Sequence, residues 1–245
     1  RKGLDFKRAS EMKENVAKIL QFYTDRYGFF PSSELHIIQR SYLPNGNNYS
    51  TSHGLVLING EDIFTKSPDE VMPSPGSLLA HEIFHQYIGQ VVQATGFDRQ
   101  LLLEGMTSYG EIICTCSIFG NDLAAKEINV WETVIRKIPK EKDVAIASLT
   151  KECPNISRYS YYKIPLFYLT LRQCIGDDAM KEFERSLLKK FGYKDRISFN
   201  EFLSFLKQET GALPGADKIF DAWLNEPGLP PFWKPDVESG VTSIH

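Results

Sequence analysis

The amino-acid sequence predicts an α+β fold in a single domain: a small sheet-bearing part over about residues 1–75, a mainly helical part over about 76–235 and a tail at 236–245. Three observations lead there. Short segments rich in branched residues, parted by turn formers, lie near the start; helical periodicity with recognisable caps dominates afterwards; no repeat, low-complexity tract or long linker divides the chain. With 245 residues and 42% hydrophobic content, the chain can fill a real core.

From about Ser10 to Arg26, Val16, Ile19, Leu20, Tyr23 and the adjoining Tyr27 recur at helical spacing, and Gly28 follows as a stop. Leu35 to Ser41 and Gly54 to Asn59 read as two strands, separated by the turn formers Pro44, Asn45, Gly46, Asn47 and Asn48. A polar stretch with Pro68, Pro73 and Pro75 leads into a helix expected from about Gly76 to Val92, and a second helix is expected over Leu101 to Ile118. Asp177 and Asp178 open a segment with Met180, Phe183, Leu187 and Phe191 on one face, and Lys189 and Lys190 complement its negative end before Gly192. Ser198 and Glu201 have capping-box spacing ahead of Phe202, Leu203 and Leu206. A last helix with Ile219, Phe220, Trp223 and Leu224 stops at Pro227 and Gly228.

The formal charge of −3, from 28 basic and 31 acidic residues, offers no attraction for a phosphate backbone, so nucleic acid is not an expected partner. No apolar run reaches the roughly 18 to 20 residues of a membrane-spanning helix, and the opening residues do not resemble a signal peptide. A soluble domain without membrane contact of its own is expected. Because the chain opens at Arg1 rather than methionine, it suits a piece cut from a larger multidomain protein, whose compartment, extracellular, membrane-anchored or cytoplasmic, stays open. The four cysteines, Cys114, Cys116, Cys153 and Cys174, match neither metal knuckles nor a disulfide scaffold, and buried free thiols are the default expectation.

The chemistry-bearing segment is His81-Glu82-Ile83-Phe84-His85, an HExxH motif inside an expected helix. Positions four apart on a helix differ by roughly 40° in direction and 6 Å in height, so both imidazoles can converge on one ion. Alone, this string is modest evidence, because a hydrogen-bonded core histidine pair needs no metal. Glu104 follows after 18 intervening residues, on the second expected helix. Two histidines and one glutamate make three protein ligands and leave a fourth position for water, as a catalytic zinc site requires. One Zn²⁺ ion is the expected cofactor. Zinc lowers the pKa of a bound water to around 7, and Glu82, about 100° around the helix from the neighbouring ligand His81, is placed to take the proton as water attacks a carbonyl.

His81 to Gly89 reads HEIFHQYIG and Leu103 to Tyr109 reads LEGMTSY; with the 18-residue gap they resemble the aminopeptidase N family of gluzincin metallopeptidases. Tyr161, Tyr162, Lys163 and Ile164 are similar to the family's Tyr-x-Lys-Gly segment, and Trp223 to Pro230, WLNEPGLP, to the close of its catalytic domain. The resemblance runs from the first helix to about Pro235 and implies a thermolysin-like catalytic domain with a peptide or protein substrate. It also assigns Tyr161 the hydrogen bond to the transition-state oxyanion. Pro165 fits the first turn of a helix, which sets Tyr161 at its entrance; Tyr159, Tyr162 and Tyr168 are nearby competitors.

Two departures stand out. Where the family carries Gly-x-Met-Glu-Asn, whose glutamate binds the substrate amine, this chain reads Tyr49, Ser50, Thr51, Ser52, His53, Gly54. The missing carboxylate removes a charge-assisted hydrogen bond worth on the order of 1.5 to 3 kcal/mol. Glu61, Asp62, Asp69, Glu70 and Glu111 are the candidate substitutes, and His53 reads as an ordinary loop histidine. Leu103 and Met106 stand where the family commonly has Asn and Phe, a change expected to alter packing without removing a ligand. The leading expectation is therefore a zinc peptidase with aminopeptidase activity. The alternatives are a zinc endopeptidase or one of atypical specificity, and a non-catalytic interaction domain on the same fold, against which the intact Glu82 argues.

Overall fold

The structure, a computed structural model, describes residues 6–40, 49–59 and 74–233. The fold is α+β as expected. Helix α1 (Phe6–Tyr27) is followed by a three-stranded sheet of β1 (His36–Arg40), β2 (Tyr49–Ser52) and β3 (Leu55–Asn59). The sequence predicts two of these strands. The third, β2, is four polar and aromatic residues with no apolar alternation to announce it; it pairs antiparallel with β3 across the His53–Gly54 turn. β3 is central and pairs parallel with β1, giving the order β1-β3-β2. Val56 and Ile58 point to the core, as the two-residue period of a half-buried strand requires. The expected turn at Pro44 to Asn48, and Pro68 and Pro73, lie outside the described residues, as does the tail at 236–245.

Helix α2 (Pro75–Phe84) starts with Ser74 as N-cap, accepting from Ser77 N–H, and with a proline at its first turn. It ends at Phe84, eight residues short of the expected Val92. Past His85 the chain bends: Gly89 takes φ +135°, its N–H donates to Val92 O at 2.8 Å, and Gln90 N–H reaches back to His85 O. Tyr87, Ile88, Val91 and Val92 are all buried. Their apolar spacing mimics a helix because a turn enclosed on all sides is apolar on all sides.

A π-helical turn, Gln100–Glu104, runs straight into α3 (Gly105–Phe119), which is buried from Gly105 to Cys116 and packs against α1, α2, α4 (Asn121–Arg136) and α5 (Ile164–Ile175). A second π-helical turn, Tyr159–Lys163, leads into α5 with Pro165 in its first turn. The expected helices α6 (Asp177–Phe191), α7 (Phe199–Thr210, with both bonds of the Ser198/Glu201 capping box) and α8 (Ala216–Leu224) complete the described chain. Among the cysteines, Cys114 and Cys116 are buried free thiols as expected, whereas Cys153, in a turn, is half-buried and Cys174, next to the last residue of α5, is exposed. No helix among the described residues is long and apolar enough to cross a membrane.

Two devices fix α1. Tyr23 and Tyr27 pack at tilted angles against Phe84 and Tyr87, and the Tyr23 hydroxyl reaches Ala80 O and Gly110 O, each at 3.1 Å, so one side chain registers α1 on both α2 and α3. On the next turn, buried Arg26 forks onto Glu184 of α6 at 2.6 and 2.9 Å and reaches Asp177 at 3.0 Å. Burial works against charge here, but Arg26 and then Arg172 hold the Asp177 carboxyl below its ordinary range. Removing one partner leaves an uncompensated buried ion. Arg26→Met should therefore lower unfolding stability by about 3–5 kcal/mol, and adding Glu184→Met should recover much of it. Urea unfolding of both variants checks this; a single variant as stable as wild type would remove the pair from the fold's support.

Candidate metal centre

His81 lies in the last turn of α2, and His85 is its C-cap, still donating N–H to His81 O at 3.2 Å. The helix therefore lasts just long enough to keep the four-residue geometry of the motif. Glu104 closes the π-helical turn facing them. One ligand atom from each of His81, His85 and Glu104 lies within 4.8 Å of the others. The approach is made by ring Nε2 atoms: His81 Nε2 stands 3.3 Å and His85 Nε2 3.5 Å from Glu104 Oε2.

What those atoms carry follows from the opposite side of each ring. His81 Nδ1 is 2.9 Å from Glu111 Oε2, and His85 Nδ1 is 3.1 Å from Ile88 O. A carbonyl or carboxylate oxygen only accepts, so both Nδ1 atoms carry a proton, and in the neutral rings both Nε2 atoms present lone pairs inward. Thr107 Oγ1 also stands 3.2 Å from His85 Nδ1. Glu104 Oε2 is buried and has no well-formed hydrogen bond among the described residues. Two nitrogen lone pairs and a carboxylate oxygen facing one point repel unless a positive charge sits between them. This donor set fits a divalent cation with nitrogen and oxygen ligands. A proton is the weaker substitute: burial disfavours charge on His81, yet the neighbouring Glu104 and Glu111 carboxylates raise its pKa well above the ordinary value. Burial likewise opposes ionisation of Glu104, but the two histidines hold its carboxyl well below the usual range.

Glu82 is 7% exposed and does not join the three. Its Oε2 accepts from Thr51 Oγ1 at 2.5 Å, which ties it to strand β2. One residue position past His85, buried Gln86 clamps the same hairpin, accepting from Gly54 N–H at 2.8 Å and donating to Ser52 O at 2.9 Å. The sheet is thus bolted to the end of α2 by two side chains of the motif segment.

Tyr161 sits in the second π-helical turn with its ring 6.1 Å from that of His81 and 20° from parallel. Burial, and then the nearby Glu104 and Glu82 carboxylates, push its hydroxyl above the ordinary phenol range, so it stays a proton-bearing donor. The competing tyrosines are engaged elsewhere. Tyr159 donates to Asp143 at 2.8 Å, Tyr162 packs toward Trp131, and Tyr168 is buried between Tyr109 and Phe202.

All five expected site residues, His81, Glu82, His85, Glu104 and Tyr161, therefore come to one place. Glu111, a candidate amine-binding substitute in the sequence, does not serve as one: it is 5% exposed and spent on His81. Its spacing seven residues after Glu104 was the available signal, since both then face one side of the same helical run. Glu61, Asp62, Asp69 and Glu70 lie outside the described residues, and His53 is exposed in the β2–β3 turn. Thr51 and Gln86 had no signal in sequence, because their partners are distant in the chain. Leu103 and Met106 are buried packing residues, in line with expectation.

The chain is similar to known proteins over most of its length. Residues 12–223 match the peptidase family M1 domain. Aminopeptidase B from Homo sapiens is 25% identical over 185 residues, 68% of this chain and 28% of that protein. Glutamyl aminopeptidase from Sus scrofa is 22% identical over 240 residues, 91% of this chain and 24% of that protein. Among solved structures, the M1 zinc metallopeptidase from Deinococcus radiodurans superposes with a TM-score of 0.71 at 21% identity, over 91% of this chain and 46% of that one. Yeast LTA4 hydrolase in complex with bestatin gives 0.70 at 19% identity, over 89% and 36%. The chain thus spans less than half the length of each.

The Glu111 bond makes a prediction about affinity. Glu111→Ala should weaken divalent-cation binding about 10- to 100-fold, because the imidazole loses the acceptor that fixes its tautomer and angle. Competition against a chromogenic chelator measures it; an unchanged constant would detach Glu111 from the centre.

Proposed function

This chain belongs to peptidase family M1, and on that premise we propose that it is the catalytic part of a zinc-dependent peptidase, with zinc held by His81, His85 and Glu104. The observation that carries the proposal is the inward convergence of two protonation-fixed imidazoles and one unsatisfied carboxylate oxygen, with a spare carboxylate and a phenol beside them. Zinc bound there supplies a Lewis acid that acidifies water and polarises a carbonyl. Glu82 takes the proton from the attacking water, and the Thr51 hydroxyl holds its carboxylate at the required angle. Tyr161 donates its hydroxyl proton in a hydrogen bond to the developing oxyanion; its raised pKa keeps that proton in place. Glu82 then passes the proton to the leaving amine, which closes the proton balance of hydrolysis.

The relatives named as aminopeptidases support release of N-terminal residues from a peptide or protein. A second reading, endopeptidase action, is favoured by one observation: β2, Tyr49–Ser52, contains no carboxylate, and Glu111 is committed to His81. Aminoacyl chromogenic substrates should be cleaved faster than internally quenched, end-blocked peptides. The reverse order would assign endopeptidase action.

The residue roles have separate tests. Glu82→Gln should keep its zinc and lose at least about a hundredfold in turnover, the usual scale for a general base. Tyr161→Phe should keep zinc and substrate affinity while kcat falls by about 10²- to 10³-fold, as for loss of one oxyanion donor. Zinc content by elemental analysis alongside steady-state kinetics reads both; full turnover in either variant would strike that residue from the mechanism.

A further inference from the structure

Glu127 has no role in the chemistry so far. It lies on α4, one helix removed from the candidate ligands, and is 2% exposed. Its Oε1 accepts twice, from the backbone N–H of Ser74 at 3.2 Å and from the Ser77 hydroxyl. Ser77 is supported in turn by Ser74 Oγ, 2.7 Å from its own Oγ, while that same N-cap oxygen accepts from Ser77 N–H at 3.1 Å. Oε2 is different: it is buried and meets no donor among the described residues. Among the described residues, the titratable side chain facing Glu127 is Glu111 of α3, the carboxylate that accepts from His81 Nδ1.

Two carboxylates can hydrogen-bond only with a proton between them, and two bare anions in contact at a buried site are strongly disfavoured. Burial, followed by the Glu111 charge, pushes the Glu127 carboxyl up to about 8, against the bonds from Ser77 and Ser74. The donors are distributed unequally: Oε1 has two, Oε2 none. We propose that Glu127 is a positioning residue, a carboxylic acid that donates from Oε2 to Glu111 and thereby locks the carboxylate that orients His81. The chain of bonds then runs from the N-cap of α2 through Ser77, Glu127 on α4 and Glu111 on α3, and returns to α2 at His81. This rests on the metal role of His81.

Glutamine is the discriminating replacement, because its Oε1 can accept from Ser74 and Ser77 while its Nε2 donates to Glu111. In the purified protein, Glu127→Gln should bind zinc with wild-type affinity by chelator competition. Glu127→Met, of similar length but without a donor, should bind about 10- to 100-fold more weakly. Combined with Glu111→Ala it should add little, since a residue acting through Glu111 has no effect once Glu111 is gone. Wild-type affinity in the methionine variant, Gln weakened as much as Met, or additive losses would overturn the proposal. Should the methionine variant fail to fold, the infrared difference spectrum of wild type minus Glu127→Gln decides: a protonated carboxyl stretch near neutral pH is expected, and its absence overturns the assignment. Because these readouts are zinc affinity and a vibrational band, a protein that binds zinc without hydrolysing peptides would defeat the peptidase reading alone.

Discussion

The site depends on a constraint on protons. Glu111 and Ile88 O each claim the Nδ1 proton of one histidine, at 2.9 and 3.1 Å. That leaves three electron-pair donors crowded around one point, an arrangement that is unfavourable in a buried setting unless a cation completes it. The rest of the local fold can be understood as what holds the donors in this position: α2 carries the two rings, a π-helical turn carries the carboxylate, and α3 carries the acceptor behind His81.

The two π-helical turns belong to the same logic. Such turns widen a helix by a residue and shift the side chains around its axis, which re-aims a side chain that a regular helix would direct elsewhere. Glu104 ends one and Tyr161 is the centre of the other. The turns pack against each other because Gly105 has no side chain: a Cβ there would lie 2.4 Å from Ile164 Cγ2. A glycine immediately after the candidate ligand thus brings the phenol-bearing turn close. Lys163, at the end of that turn, is fully buried and donates to Val144 O at 3.0 Å, anchoring the turn from below.

How much of this the sequence shows depends on distance along the chain. The helices with strong periodicity or caps, α1, α6, α7 and α8, are legible because each is specified by its own residues. The site residues are legible as well, because HExxH and Glu104 obey local spacing rules and the Tyr161 segment follows a motif. What escapes is set by tertiary contact. β2 gains its strand from pairing with β3, and α2 stops early because the buried turn at Gly89 replaces a helix that its apolar spacing would permit. Glu111 looks like any acid on a helix until His81 is brought to it; Thr51 and Gln86 acquire their roles from partners 31 and 32–34 residues away.

The polar side chains around the site also explain why the aromatic cluster lies where it does. His81, Glu82, Gln86, Glu111 and Glu127 are all buried, and a buried polar group without a partner costs about 1–3 kcal/mol, more when charged. Their bonds to one another and to β2 offset that cost only while the α2–α3–α4 contacts stay in register. The register comes from another side of α2, where Phe84 meets Tyr23 and Tyr27, and where the Tyr23 hydroxyl touches α2 and α3 together. Gly110 of α3 lets Phe84 approach, since a Cβ there would come within 2.6 Å of its ring. Aromatic packing, pinned by the Tyr23 hydroxyl, therefore sets the helix positions, and the hydrogen-bonded shell, which tolerates little displacement, is built on positions already fixed.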